Sequence, residues 1–251
     1  MKLNMSLATT ASAMAMATFA NAGFINGGFE DGSFNGWTLE HGNSSSTTNP
    51  SGIAFSAGSA GHANVIGSTS DPYSPFDSAF EGSYMARLNE FAPNYDATRI
   101  SQQVTMLAGE TSIFINWGSV MQDSQHVLDD QPLFLIEIYK NGSLFASESH
   151  DVSQGAAGGW IASAIDLNSV PTYYSSGTYN ISGWAAGDIA KIVMTVVDCG
   201  QGAHSGWAYL DDIGTTFQPP VITPDSGTTI AMLGLAFSGL AGLQRKLGIR
   251  A

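Results

Sequence analysis

Apolar and polar positions along this chain alternate in short bursts separated by Gly, Asn, Asp, Ser and Pro. The runs at 84–88, 100–104, 112–120, 133–140, 144–147, 161–167, 178–184, 191–199 and 208–217 are rich in β-branched and aromatic residues and bounded by turn formers, a pattern that predicts strands. Two shorter pieces, 24–29 and 37–39, extend the series toward the N-terminus. Lys140-Asn141-Gly142-Ser143 lies between two of these runs, and Asn-Gly takes the positive φ angles that a two-residue hairpin requires. Residues 42–80 are dominated by Gly, Ser, Asn and Pro with few apolar anchors, which predicts a long irregular connection. No segment within 23–217 has helical periodicity, and no internal repeat interrupts the series. Many short strands with turn punctuation predict an all-β domain, a single β-sandwich of the jelly-roll type.

Both ends break the pattern with uninterrupted apolar runs. Lys2 precedes a charge-free stretch over 5–20, and Ala20 and Ala22 offer the small residues that a signal peptidase requires at its cleavage site. The run is shorter than the roughly 20 residues that span a bilayer, so a removable signal helix over 1–22 is expected rather than an anchor. At the other end, 228–243 is apolar and uncharged, and Gln244-Arg245-Lys246 follows with Arg250 beyond it, the basic flank of a stop-transfer helix. The division expected is a signal peptide at 1–22, a sandwich at 23–217, a spacer and polar box at 218–227, and a transmembrane helix with a basic tail at 228–251.

The box reads Pro224-Asp225-Ser226-Gly227. Box, apolar helix and Arg-Lys cluster, in that order, resemble the sorting signals of the PEP-CTERM class, in the variant whose box is Val-Pro-Asp-Ser-Gly; Thr223 stands here in place of the Val. The resemblance implies recognition by an exosortase-type membrane enzyme, with transient anchoring through the C-terminal helix. It further implies delivery to the cell surface or extracellular matrix of a Gram-negative bacterium, where such proteins accompany exopolysaccharide and biofilm.

Charge narrows the partners. Between 23 and 227 only Arg87, Arg99, Lys140 and Lys191 oppose all 21 acidic residues, 4 against 21, a formal charge of −17. Such a surface repels phosphate backbones, which excludes nucleic acid, and attracts divalent cations. Cys199 is the single cysteine, so no intramolecular disulfide forms, and its place in a strand-like run predicts a buried thiol.

The Asn26 to Trp37 segment with its Gly27-Gly28-Phe29-Glu30, the Ser83 to Leu88 stretch and Tyr209-Leu210-Asp211-Asp212-Ile213 together resemble galactose-binding-like jelly rolls, the fold of many carbohydrate-binding modules. That resemblance implies a structural Ca²⁺ beside Glu30 and Asp212, an ion that takes hard oxygen ligands. A second constellation, Asp198, Cys199 and His204 with His126, resembles a segment of exported bacterial β-domains, and offers either a metal or nucleophilic site or a hydrogen-bonded loop scaffold. For sugar contact the loop aromatics Tyr73, Tyr95 and Trp160 are favoured over strand residues Trp117 and Trp184. The expected function is a non-catalytic carbohydrate-binding or matrix-associated module. A polysaccharide hydrolase, drawing on Asp129, Asp130 or Glu137, and an adhesin or protein-interaction module stay open as alternatives. No Gly-x-Ser-x-Gly elbow, zinc box or phosphate loop is present.

Overall fold

A computed structural model describes residues 23–217 apart from positions 46, 59–61, 68–70, 77, 93, 127–129, 154–157 and 203. The expected signal helix with Ala20 and Ala22, the sorting box Pro224 to Gly227 and the expected C-terminal helix fall outside the described residues, as does Asp129.

The described residues form strands β1 (Thr38–Asn43), β2 (Ser56–Ala57), β3 (Ala63–Ile66), β4 (Met85–Leu88), β5 (Asp96–Thr105), β6 (Glu110–Gln122), β7 (Leu133–Lys140), β8 (Ser143–His150), β9 (Ile161–Ala162), β10 (Thr172–Ser182), β11 (Ile189–Val197) and β12 (Gly206–Phe217). A short 3-10 turn stands at Pro50–Gly52. Every pairing is antiparallel, and the strands make two six-stranded sheets, ordered β2-β1-β5-β11-β7-β8 (sheet I) and β3-β4-β12-β6-β10-β9 (sheet II). The two stack face to face as the expected jelly-roll sandwich.

Period-two alternation places the core. Phe134, Ile136 and Ile138 of β7, Ala190, Ile192, Met194 and Val196 of β11, and Ile113, Ile115 and Trp117 of β6 point into one apolar cluster between the sheets. The β7–β8 hairpin turns on Asn141 (φ 52°) and Gly142 (φ 84°), both positive, as its Asn-Gly sequence predicts.

Three expectations are corrected. Residues 24–29 form turns, with Asn26 and Phe29 at positive φ. Their aromatics serve as core plugs: Phe24 and Phe29 stack on Trp37, and Gln102 ties the segment down by accepting from Ile25 N at 2.6 Å and donating to Ile25 O at 2.9 Å. The 161–167 run keeps strand geometry only at Ile161–Ala162, because the Asp166 carboxylate and the Leu167–Val170 turn bend the chain back to Thr172. Residues 42–80 are more structured than their composition suggests, since they supply β2, β3 and the covers of both outer faces.

Those covers differ. Over sheet II, Asp71 accepts from Trp207 Nε1 at 3.0 Å and from Tyr209 OH at 2.7 Å, and Phe76 packs on Tyr209, so β12 is buried on both faces. Over sheet I, Ile53 and Phe55 cover only the end formed by Ala97, Val197 and Leu133. The other end of sheet I is open.

His150 on β8 gives the fold a pH dependence. Its ring packs 3.9 Å from that of Trp117 and 5.8 Å from that of Phe134. Glu148 Oε1 lies 3.0 Å from His150 Nε2 but off the line a hydrogen bond needs. Burial lowers the imidazole pKa to about 4, with Asp151 opposing. The unfolded imidazole protonates near pH 6.5, so the stability conferred by the neutral ring is lost as pH falls from about 6.5 toward 4. Relative to His150→Phe, the native protein is expected to lose roughly 1–2 kcal/mol across that window in denaturant unfolding, after allowance for the ring's solvent contact. Parallel stability–pH curves for the two proteins would show the ring to be solvated instead.

Candidate functional site

The open end of sheet I is a groove of about 410 Å³. Its floor is made where two small residues meet on neighbouring central strands, Ser101 of β5 opposite Val193 of β11. Larger side chains on the same face rise around them: Arg99 and Gln103 from β5, Lys191 from β11, Glu137 and Tyr139 from β7, and Glu40 from β1. Register explains the grouping, because Gln103, Lys191 and Tyr139 form one cross-strand row and Ser101, Val193 and Glu137 the next.

The polar groups are held in place. Arg99 Nε donates to Glu40 Oε2 at 2.9 Å, while its guanidinium lies 4.1 Å above the centre of the Phe55 ring. Tyr139 OH donates to Glu137 Oε1 at 3.1 Å. Lys191 is exposed. Two of the four basic residues between 23 and 227, Arg99 and Lys191, therefore stand in one groove of an otherwise strongly acidic molecule. Planar hydrogen-bonding groups, an aromatic face and an open trough along the sheet can receive an extended polar chain.

A second concavity, of about 210 Å³, is lined by Gly28, Glu30, Glu81, Gly82, Asp211 and Asp212. Glu30 Oε1 accepts from Ser83 N at 2.9 Å and Tyr84 N at 3.0 Å. Gly82 sits at φ 67° against the Glu30 carboxylate, leaving no room for a side chain. Asp211 is fully buried and spends both oxygens on backbone, accepting from Glu81 N and Asp212 N, and burial pushes its carboxyl up to about 6 against those donors. Asp212, at φ 47°, turns toward Asn116 Nδ2 (3.0 Å); burial first, and then the neighbouring Glu81 carboxylate, raise its pKa. Glu30 and Asp212 thus line one cavity, joined by Glu81 and Asp211. Glu81 escaped sequence reading because it sits in an irregular loop, with no pattern linking it to β12.

The structure also gathers His126, Cys199 and His204, with Cys199 buried. Asp198 faces elsewhere: its carboxylate accepts from the backbone of Gly206, Asp96 and Asn94 and from Asn89 Nδ2, and burial pushes it up to about 7 against those donors. Asp130 pairs with Gln201 Nε2 at 2.9 Å, away from the groove. Two of the loop aromatics are not free platforms, since Trp160 is buried and Tyr73 packs against Phe91 and Trp207, and Tyr95 is half-buried and does not line the groove. All five tryptophans are buried, including Trp117 and Trp184, so Tyr139, a strand residue, is the aromatic of the groove. Its place in the alternation of β7 marks it as outward-facing, but only the open sheet face makes that a site.

Comparison with known proteins adds the following. Residues 224–247 match the VPDSG-CTERM motif. No curated protein matches the chain. Among solved structures, the module TmCBM61 in complex with beta-1,4-galactotriose is 15% identical, with 78% of this chain and 98% of that chain covered, at a TM-score of 0.41. A carbohydrate-binding module specific for non-crystalline cellulose is 11% identical, with 77% and 95% covered and a TM-score of 0.39. A third structure, of promiscuous carbohydrate-binding modules from the β-sandwich superfamily, is 11% identical, with 75% and 60% covered and a TM-score of 0.38. The chain is a β-sandwich protein carrying a VPDSG-CTERM sorting signal, the mark of an exported protein handled by an exosortase-type system and sorted to the cell envelope or surface.

Proposed function

We propose that this protein is a non-catalytic surface or matrix module of a Gram-negative bacterium that binds exopolysaccharide in the open groove of sheet I. The observation that carries this reading is the groove itself, where Arg99, Gln103, Glu137, Lys191 and the Tyr139 ring surround a floor of small residues. Hydroxyl-rich chains are recognised by fixed planar donors and acceptors together with an aromatic face. Its two carboxylates favour binding over hydrolysis. Glu40 and Glu137 stand on β1 and β7 with β5 and β11 between them, roughly 14 Å of strand spacing, wider than the roughly 5–10 Å of a glycosidase pair. Each is also engaged by a neighbour, Arg99 or Tyr139. Incubating the full chain with polysaccharide from its own producing cells is expected to give saturable binding without new reducing ends. Steady release of reducing sugar would replace this reading with the hydrolase one.

The acidic cavity is proposed to hold a structural Ca²⁺. Glu30, Glu81 and Asp212 would supply hard carboxylate oxygens, with Asp211 positioning the loop, and a cation would relieve the repulsion between Glu81 and Asp212. Ca²⁺ at a hundredfold excess over its dissociation constant stabilises by about 2.7 kcal/mol, so chelation is expected to lower Tm by about 5–10 °C. In Asp212→Asn that response should disappear. An unchanged Tm on chelation of the native protein would rule the ion out.

A further inference from the structure

The cluster of His126, Cys199 and His204 lies apart from both the groove and the acidic cavity and has no part in the reading above. Three chain segments build it. His126 stands in the loop after β6, Cys199 just beyond the end of β11, and His204 just before β12. The backbone clamps the short 199–204 turn, with Cys199 N donating to His204 O at 3.0 Å and Gly202 N to Cys199 O at 3.0 Å. On the opposite side, Gln131 fixes the His126 loop by donating to His126 O at 3.2 Å and accepting from Ser124 Oγ at 2.7 Å.

These anchors aim two imidazoles at one sulfur. His126 Nδ1 is 3.2 Å and His204 Nδ1 is 3.5 Å from Cys199 Sγ, and a ring nitrogen from each histidine and the sulfur all lie within 4.8 Å of one another. The rings stand nearly perpendicular, at 83°, with centroids 5.0 Å apart. A tetrahedral ion with metal–sulfur bonds near 2.3 Å and metal–nitrogen bonds near 2.0–2.1 Å needs a sulfur–nitrogen edge of about 3.5 Å. From these distances we infer that His126, Cys199 and His204 form a three-ligand site for a zinc-class divalent transition metal, distinct from the calcium site proposed at the acidic cavity.

The chemistry separates this from the alternatives. Calcium prefers oxygen, whereas one thiolate and two imidazoles select a borderline-soft ion. A Cys–His nucleophile must present its sulfur to substrate, but Cys199 is fully buried and its Sγ receives Gln201 N at 3.3 Å. The other histidine cluster differs in kind. His41 and His62 each meet a different oxygen of Asp96, with rings stacked at 4.2 Å, and so satisfy one another as a hydrogen-bonded triad.

Cobalt reads the site directly. The full chain, stripped of metal, is titrated with Co²⁺ and followed by absorption. The expected result is one equivalent giving a thiolate-to-cobalt charge-transfer band with the visible bands of a tetrahedral ion, both abolished by added Zn²⁺. Cys199→Ser should lose the charge-transfer band. His204→Gln, whose half-buried position tolerates the change, should bind Co²⁺ at least about tenfold more weakly, with its metal-free melting curve unchanged. Cobalt bound at the acidic cavity would show weak octahedral bands and no sulfur band. That spectrum, no uptake at all, or a sulfur band of undiminished affinity in His204→Gln would each overturn the assignment.

Discussion

Replacing Asp198 by Ala is expected to cost about 3–5 kcal/mol of stability and to lower Tm by about 10 °C or more. The carboxylate is 1% exposed and accepts from Gly206 N at 3.0 Å, Asp96 N at 3.2 Å, Asn89 Nδ2 at 3.3 Å and Asn94 N at 3.4 Å. Those donors belong to the start of β5, the loop before it and the start of β12, so one side chain ties sheet I to sheet II at this end of the sandwich. Alanine leaves all four donors without the acceptor that holds them at a fully buried position. The variant Asp198→Asn should recover part of the loss, since its one amide oxygen accepts two of the four bonds while its NH₂ faces the others. Denaturant unfolding of the two variants checks this. Equal stability of Asp198→Ala and the native protein would mean that these donors find solvent.

In the groove, Arg99→Ala combined with Tyr139→Ala is expected to weaken polysaccharide binding by about 100-fold while Tm stays within a few degrees. Both side chains are half-buried on an outer face rather than in the core. A charge-assisted hydrogen bond contributes about 1.5–3 kcal/mol and an aromatic contact about 0.5–1.5 kcal/mol, and each 1.4 kcal/mol is tenfold in affinity. Arg99→Ala alone also releases Glu40 and uncovers Phe55, so its effect includes local relaxation, whereas Tyr139→Phe removes only the hydroxyl bonded to Glu137. The single and double variants, compared by equilibrium depletion on immobilised polysaccharide, separate these contributions. Undiminished binding by the double variant would move the site off sheet I.

Much of the sandwich can be read from local signals. The 133–140 run is β7 to the residue, because an apolar run rich in β-branched and aromatic residues ends in an Asn-Gly turn whose conformational demand is unambiguous. The 191–199 run slides to Ile189–Val197, since Asp198 and Cys199 are spent on loop anchoring, which an apolar run does not announce. Residues 24–29 read as a strand because Phe24 and Phe29 look like strand anchors, yet positive φ at Asn26 and Phe29 folds them into turns that plug the core. Glu30 and Asp212 were nameable only through family resemblance, and Glu81, their neighbour in space, carried no signal. The groove was illegible for a different reason. Outward alternation marks Arg99, Gln103, Tyr139 and Lys191 as solvent-facing, but which sheet face stays uncovered depends on where the Gly- and Ser-rich 42–80 segment lies. That is a tertiary fact. His126 is 73 residues from Cys199 in sequence, so their contact likewise appears only in three dimensions.

The most direct measurement is chemical footprinting of lysines on the full chain, with and without saturating polysaccharide, read by mass spectrometry after limited acylation. Lys191 stands exposed in the groove, while Lys140 pairs with Asp188 at 2.8 Å beside Trp184 and serves as the internal reference. Occupation of the groove predicts strong protection of Lys191 with Lys140 unchanged. Lys191 modified at the same rate in the presence of bound polysaccharide would contradict the assignment of sheet I as the binding face.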